Sequence, residues 1–145
     1  MSKIQRDLSQ RLLKFAGGVT RLVIGLPVTL PAKRIGDQLL RSATSAGANY
    51  EECRGAFSRP DFCNKLQISL KEMRESVYWL MLLDETGLCQ NATELTALKD
   101  EGRQLRAILG KSTLTARGGK HPTTNNKAYT DSIGTGSGGY LPLRI

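Results

Sequence analysis

QLLRSATSAGANYEECRGAFSRPDFCNKLQISLKEMRESVYWLMLLDETGL, residues 38–88, reads as two helices joined at Phe57-Ser58-Arg59-Pro60. The first half places Ile35, Leu39, Ser42, Ala46, Tyr50, Cys53 and Phe57 on one stripe of a helix that opens near Pro31, a residue whose missing N–H costs nothing in a first turn. Ser42, Ala43, Ser45, Ala46, Gly47 and Ala48 carry so little side-chain volume that a neighbouring helix can approach closely there. The second half begins with a capping box, Ser58 toward the N–H of Asp61 and the Asp61 carboxylate back. Its stripe is Phe62, Leu66, Leu70, Met73, Val77, Leu80 and Met81, and Thr86-Gly87 closes it. From Tyr78 to Leu83 this helix is apolar all round, whereas a surface helix needs one apolar stripe. Tyr78, Trp79, Leu82 and Leu83 are therefore expected to be covered on more than one side, by a second subunit or by a tightly wrapped monomer.

Working outward, residues 3–24 form an amphipathic helix with Leu8, Leu12, Phe15, Ala16, Val19, Leu22 and Val23 on its apolar face. That phase continues across Gly17-Gly18. Gly25 ends the helix, and LPVTLP is a loop. A fourth helix opens at Asn91 or Thr93 and turns Leu95, Leu98, Gly102, Leu105 and Leu109 inward, ending near Gly110. Four amphipathic helices on short loops predict an all-α, antiparallel up-down-up-down four-helix bundle over residues 1–111. Residues 112–145, rich in Gly, Thr and Asn, are expected to be a flexible tail.

The 21 Lys and Arg against 13 Asp and Glu leave a net charge of +8, a surplus that suits nucleic acid or an acidic partner and equally a plain soluble protein. Of this, +5 falls on residues 1–111 and +3 on the tail. Lys3, Lys14 and Arg21 line up opposite the apolar face of the first helix, with Arg6 and Arg11 flanking; Lys99, Arg103 and Arg106 form a row on the fourth. First and last helices are neighbours in such a bundle, so the two rows are expected to share one surface that binds RNA or DNA backbone. The alternative for both rows is an ordinary solvated face. Neither row carries an aromatic side chain, which points away from base-specific readout.

Three cysteines, Cys53, Cys63 and Cys89, without a C-x-x-C pair argue for a reducing cytoplasm and against a disulfide framework. The charged N-terminus is no signal peptide, and the longest apolar run, Val77 to Leu83, is too short to span a membrane. His121, the only histidine, lies in the tail, which leaves no histidine triad and no His/Cys metal cluster. Glu72 and Glu75 lack the Glu-x-x-His companion of a carboxylate di-metal bundle. No catalytic residues, metal or cofactor are expected. Asn49, Glu52 and Glu75, at the margins of apolar stripes, are expected to bond across helices or subunits and set register, with a ligand contact as the other reading; Arg41 and Ser45 complete this structural polar motif.

Gln38, Leu39, Arg41, Ser45, Ala48, Asn49 and Glu52 in QLLRSATSAGANYEE, with Phe62, Leu66, Ile68 and Glu75 in DFCNKLQISLKEMRES and the ETGL turn, resemble the bundle proteins named after intervening sequences in bacterial 23S ribosomal RNA genes. The similarity extends over about residues 5–110. It implies a four-helix bundle assembling as a ring, typically a homopentamer, with no established catalysis and a suggested role in binding nucleic acid. Related bundles act as accessory proteins of retroelement reverse transcriptases, so the resemblance also implies an oligomeric scaffold for such an enzyme as the alternative. The long tail departs from the compact members of that family.

Overall fold

A computed structural model describes residues 2–118. They form four helices: α1 Lys3–Ile24, α2 Leu30–Arg54, α3 Arg59–Thr86 and α4 Ala92–Ala116. Each starts on a side chain that accepts a backbone N–H left without an intrahelical partner. Ser2 accepts from Gln5 and completes a reciprocal box, Thr29 accepts from Ala32, Ser58 from Asp61, and Asn91 from Glu94. Gly87 closes α3 at φ 65°, a left-handed turn that a side chain would strain.

Contacts between the helices fix their directions. Along α1 and α2, Ser9 bonds Glu51, Leu12 packs by Gly47 and Val23 by Gly36, so one chain ascends as the other descends. The same reversal joins α2 to α3 through Ser42–Ser76, Ala46–Ser69 and Cys53–Phe62. It joins α3 to α4 through Asp84–Lys99, Val77–Gly102 and Cys63–Ala116. Between α1 and α4 it appears as Arg11–Glu101 and Gly18–Leu98. The fold is the expected antiparallel up-down-up-down bundle, with α1 and α4 closing it.

The core is built from the anticipated stripes, among them Leu12, Phe15, Leu39, Leu66, Met73, Leu80, Leu105 and Leu109, all essentially inaccessible. The small-residue run of α2 does bring a neighbour close. Ser69 Oγ donates to the carbonyl of Ala46 at 2.7 Å, and Ser76 Oγ lies 2.9 Å from Ser42 Oγ; all three serines are fully buried. Short hydroxyls thus link α2 to α3 where larger side chains would hold the backbones apart. A second close approach sits at Gly102, where a Cβ would lie 3.1 Å from Val77 and 3.3 Å from the Phe15 ring.

Three expectations are corrected. Phe57 is not in the α2 stripe: the helix ends at Arg54, and the ring is fully exposed in the connection to α3. Met81 is about half exposed rather than part of the α3 stripe, because Val77, Leu80 and Leu83 take the inward positions of that turn. Finally, α4 does not stop at Gly110 but continues to Ala116, with Thr113 buried against the core. The bundle therefore extends past residue 111, and the rest of the expected tail, from residue 119 on, lies outside the described residues.

Candidate nucleic-acid interface

The two expected basic rows do not meet. Helix α4 turns Glu101 and Gln104 toward α1, and both accept from Arg11, whose guanidinium spans Glu101 in a two-bonded fork at 2.8 and 2.9 Å. Arg11 is thus a clamp between helices rather than a flank of a free cationic row. The α4 row faces the other way, toward α3. Lys99 is largely buried and paired with Asp84, and Arg106 borders a groove with Arg74 of α3. Arg103 stays exposed, with Asp100 of its own helix 3.5 Å away. On α1, Lys3 and Lys14 are exposed, while the exposed Arg21 lies over Gly17 and Gly18. The helix rotation that buries Leu98, Leu105 and Leu109 places residues 99, 103 and 106 on the α3 side, so α1 cannot reach them.

What the rotation does assemble is a cationic groove between α3 and the C-terminal half of α4, in two adjoining parts that share Arg74 and Gly110. One part of it encloses about 560 Å³, bordered by Asn64, Gln67, Lys71, Arg74, Leu114 and Arg117. Its continuation is lined by Arg74, Arg106, Gly110 and Lys111. Lys71, Arg74, Arg106, Lys111 and Arg117 are all exposed, and none is in a salt bridge among the described residues. No carboxylate lines either part. Gly110 borders both parts, and a Cβ added there would meet nothing within 4 Å. From Arg106 to Arg117 the helical rise covers about 16 Å.

Sequence reading found Arg106 and missed the other four. Two local causes account for this. A helix that ends at Gly110 leaves Lys111 and Arg117 out of any row, and Lys71 and Arg74 belong to α3, outside a surface shared by the first and fourth helices. The i, i+3 spacing of those two residues on α3 was the available signal.

The polar motif on α2 and α3 forms an interhelical network. Arg41 reaches both Glu72 and Glu75, and the Trp79 indole N–H donates to the same Glu75 oxygen at 3.2 Å. The bond from Arg41 holds the Glu75 carboxyl below the usual carboxylate range, against the opposing effect of burial. Glu52 pairs with Lys65 across the same helices. Asn49 differs: its amide donates to the carbonyl and hydroxyl of Ser45, so this pair stays within α2.

The apolar end of α3 divides by side. Leu83 is completely buried inside the bundle, Trp79 and Leu82 are partly covered, and Tyr78 and Met81 face outward at 56% and 48% exposure. The core of the bundle itself thus accounts for Leu83.

The cysteines are separate and reduced. Burial pushes the Cys53 thiol up to about 11, far from the activated range of a nucleophile. Among the described residues, no group of three or more His, Cys, Asp or Glu is placed to hold a metal ion, and no helix is long and apolar enough to cross a membrane. His121 lies outside the described residues.

Fold and site together define a four-helix bundle that displays a groove of unpaired cations. The chain belongs to the family described as 23S rRNA-intervening sequence protein, which it matches over residues 6–111. It is also similar to a crystal structure of a protein with unknown function from the S23 ribosomal protein family of Bacteroides thetaiotaomicron VPI-5482. That likeness has 32% identity and a TM-score of 0.66, covering 75% of this chain and 96% of the other. No curated protein matches the chain.

Proposed function

We propose that this protein is a non-enzymatic bundle that binds the backbone of RNA or DNA electrostatically. The observation that carries this reading is the α3/α4 groove, where five unpaired cations face solvent with no lining carboxylate. Each phosphate neutralised by such a cation releases condensed counterions, and the favourable entropy of that release makes affinity strongly salt-dependent. The family's link to ribosomal RNA in its description agrees with a nucleic-acid partner. Contacts to phosphate position a protein without reading sequence, so weak sequence selectivity is part of the proposal.

A mobility-shift titration with a mixed-sequence RNA at 50 and 150 mM salt tests it. Arg74→Glu with Arg106→Glu should abolish the shift at 150 mM. No binding at 50 mM, or binding indifferent to that double reversal, would refute the groove. Lys3→Glu with Lys14→Glu serves as the control for the α1 row, no residue of which lines either part of the groove.

Assembly into a ring, a homopentamer by the resemblance, is part of the same proposal. The outward Tyr78 and Met81 are the large apolar side chains that the α3 C-terminal half leaves for a neighbour. Repetition of the groove around a ring would multiply phosphate contacts. A scaffold role for a protein partner such as a reverse transcriptase rests on the resemblance alone and gains no specific observation. Residence in the cytoplasm is proposed with the rest.

A further inference from the structure

We infer that the α3/α4 groove is built for double-stranded nucleic acid in preference to single strands; this rests on the proposal that the groove binds nucleic acid at all. Three features carry it. First, the wall offers no stacking platform. It is formed by amides, hydroxyls and aliphatic groups such as Asn64, Gln67, Ile68, Thr113 and Leu114, and none of the described aromatic residues lines it. Proteins that hold single strands combine a basic groove with aromatic rings on which unstacked bases lie. Without the rings, splayed bases gain nothing here, and only phosphate charge is left to reward binding.

Second, that charge is denser on a duplex. Both strands together present one phosphate per roughly 1.7 Å of axis, and each neutralised phosphate is worth more released counterion than on a single strand. Third, the cations stand on two banks: Lys71 and Arg74 on α3, Arg106, Lys111 and Arg117 on α4. Packed helix axes lie about 8–10 Å apart. That gap is too narrow for a duplex to enter, yet it sets two lines of charge that a duplex lying across the banks can engage. The Asn64 and Gln67 side-chain amides on the α3 bank add donors for phosphate or sugar oxygens.

The magnitudes follow from counterion release. With five phosphates contacted, the slope of log affinity against log salt is about −4.5 for a duplex and about −3.5 for a single strand. Raising salt from 50 to 150 mM then weakens duplex binding about 140-fold and single-strand binding about 50-fold. If the two forms bind equally at 1 M salt, the duplex leads by about 20-fold at 50 mM. The ratio of the slopes, about 1.3, does not depend on how many copies of the groove engage one nucleic acid.

The test is fluorescence anisotropy with a labelled 20-base-pair RNA duplex, a DNA duplex of the same sequence and each isolated strand. The full chain, Arg74→Glu/Arg106→Glu and Lys3→Glu/Lys14→Glu are each titrated at several salt concentrations. The expected result is tighter duplex binding with the steeper slope, lost in the groove variant and kept in the α1 variant. Single strands that bind as tightly as duplexes, and that depend on the groove, would overturn the duplex inference while leaving the groove proposal standing. Failure of the full chain to bind any of the probes at 50 mM would instead refute the proposal beneath it. Duplex binding lost in the α1 variant and kept in the groove variant would refute both. A preference for the RNA or the DNA duplex alone supports the inference and assigns its helical form.

Discussion

Gly102 and Gly110 occupy one helix, and replacing each with alanine should move stability in opposite directions. In an exposed helix interior, Gly→Ala stabilises by about 1 kcal/mol through backbone entropy. At Gly110 nothing opposes that gain, because an added Cβ meets no atom within 4 Å. At Gly102 the same methyl would lie 3.1 Å from Val77 Cγ2 and 3.3 and 3.4 Å from two carbons of the Phe15 ring. Val77 and Phe15 are 1% and 2% exposed, so neither can swing into solvent to make room. Overpacking a closed site costs about 1–3 kcal/mol, which exceeds the entropic gain and leaves Gly102→Ala about 1 kcal/mol less stable than the parent. For an ordered region of this size, 1 kcal/mol corresponds to about 4 °C in Tm. Thermal melts followed by circular dichroism should place Gly110→Ala about 4 °C above the parent and Gly102→Ala about 4 °C below it. Urea midpoints should give the same order. A Gly102→Ala protein as stable as Gly110→Ala would show that the α1–α3–α4 contact is looser than this packing, and the reasoning would fail.

Four further outcomes follow from the structure. Arg41→Met should cost at most about 1 kcal/mol at pH 7, because the Arg41 side chain is 48% exposed and solvent screens its pairs. Since Arg41 lowers the Glu75 pKa on folding, its contribution is complete above the unfolded value of about 4.3 and is lost as pH falls through the lower folded value. Parent and variant melts should therefore converge once the pH has fallen through that lower folded value; a gap that persists in acid where Glu75 is protonated in both states would exclude it as the main partner. Iodoacetamide at pH 8 should modify Cys53 last in the native protein, since its thiol is buried and pushed up to about 11. Peptide mass spectrometry showing Cys53 labelled as fast as Cys63 would contradict that burial. A chain ended after Lys111 should melt several degrees below one ended after Gly118, because it loses the buried Thr113 and the Ala116 carbonyl that accepts from Arg59. Equal melting would mean the last turns of α4 add nothing. For assembly, Tyr78→Glu with Met81→Glu should reduce the particle mass by light scattering, and an unchanged mass would remove that face from any interface. Trp79 is the poorer probe, because its indole already serves Glu75 within the subunit.

Much of the bundle was legible in the order of residues, and what was legible shares one property. Helix periodicity, capping side chains and loop chemistry are local: Ser58 ahead of Asp61, Asn91 ahead of Glu94 and Gly87 after Thr86 act over a few positions of chain. The inward stripe of each helix follows from 3.6 residues per turn and needs no knowledge of its neighbour. The same locality explains where α4 was cut short. A glycine at 110 weakens a helix by about 1 kcal/mol, and burial of Thr113 and the bond from Arg59 to Ala116 outweigh it from across the bundle.

The candidate site was less legible because it depends on how helices are rotated against one another. Lys99, Arg103 and Arg106 were recognisable as a row, but only packing decided that the row looks toward α3. Arg11 and Lys99 read as free charge in a linear sequence, and Glu101 and Asp84, at the other side of a helix contact, take them out of that pool. Arg74 stays free because no carboxylate lines its groove. Four helices, their order, their buried faces and a surplus of positive charge are all written in the order of residues. Which cations are paired and which stand together is settled by packing, because charge pairing is a distance relation between residues far apart in the chain.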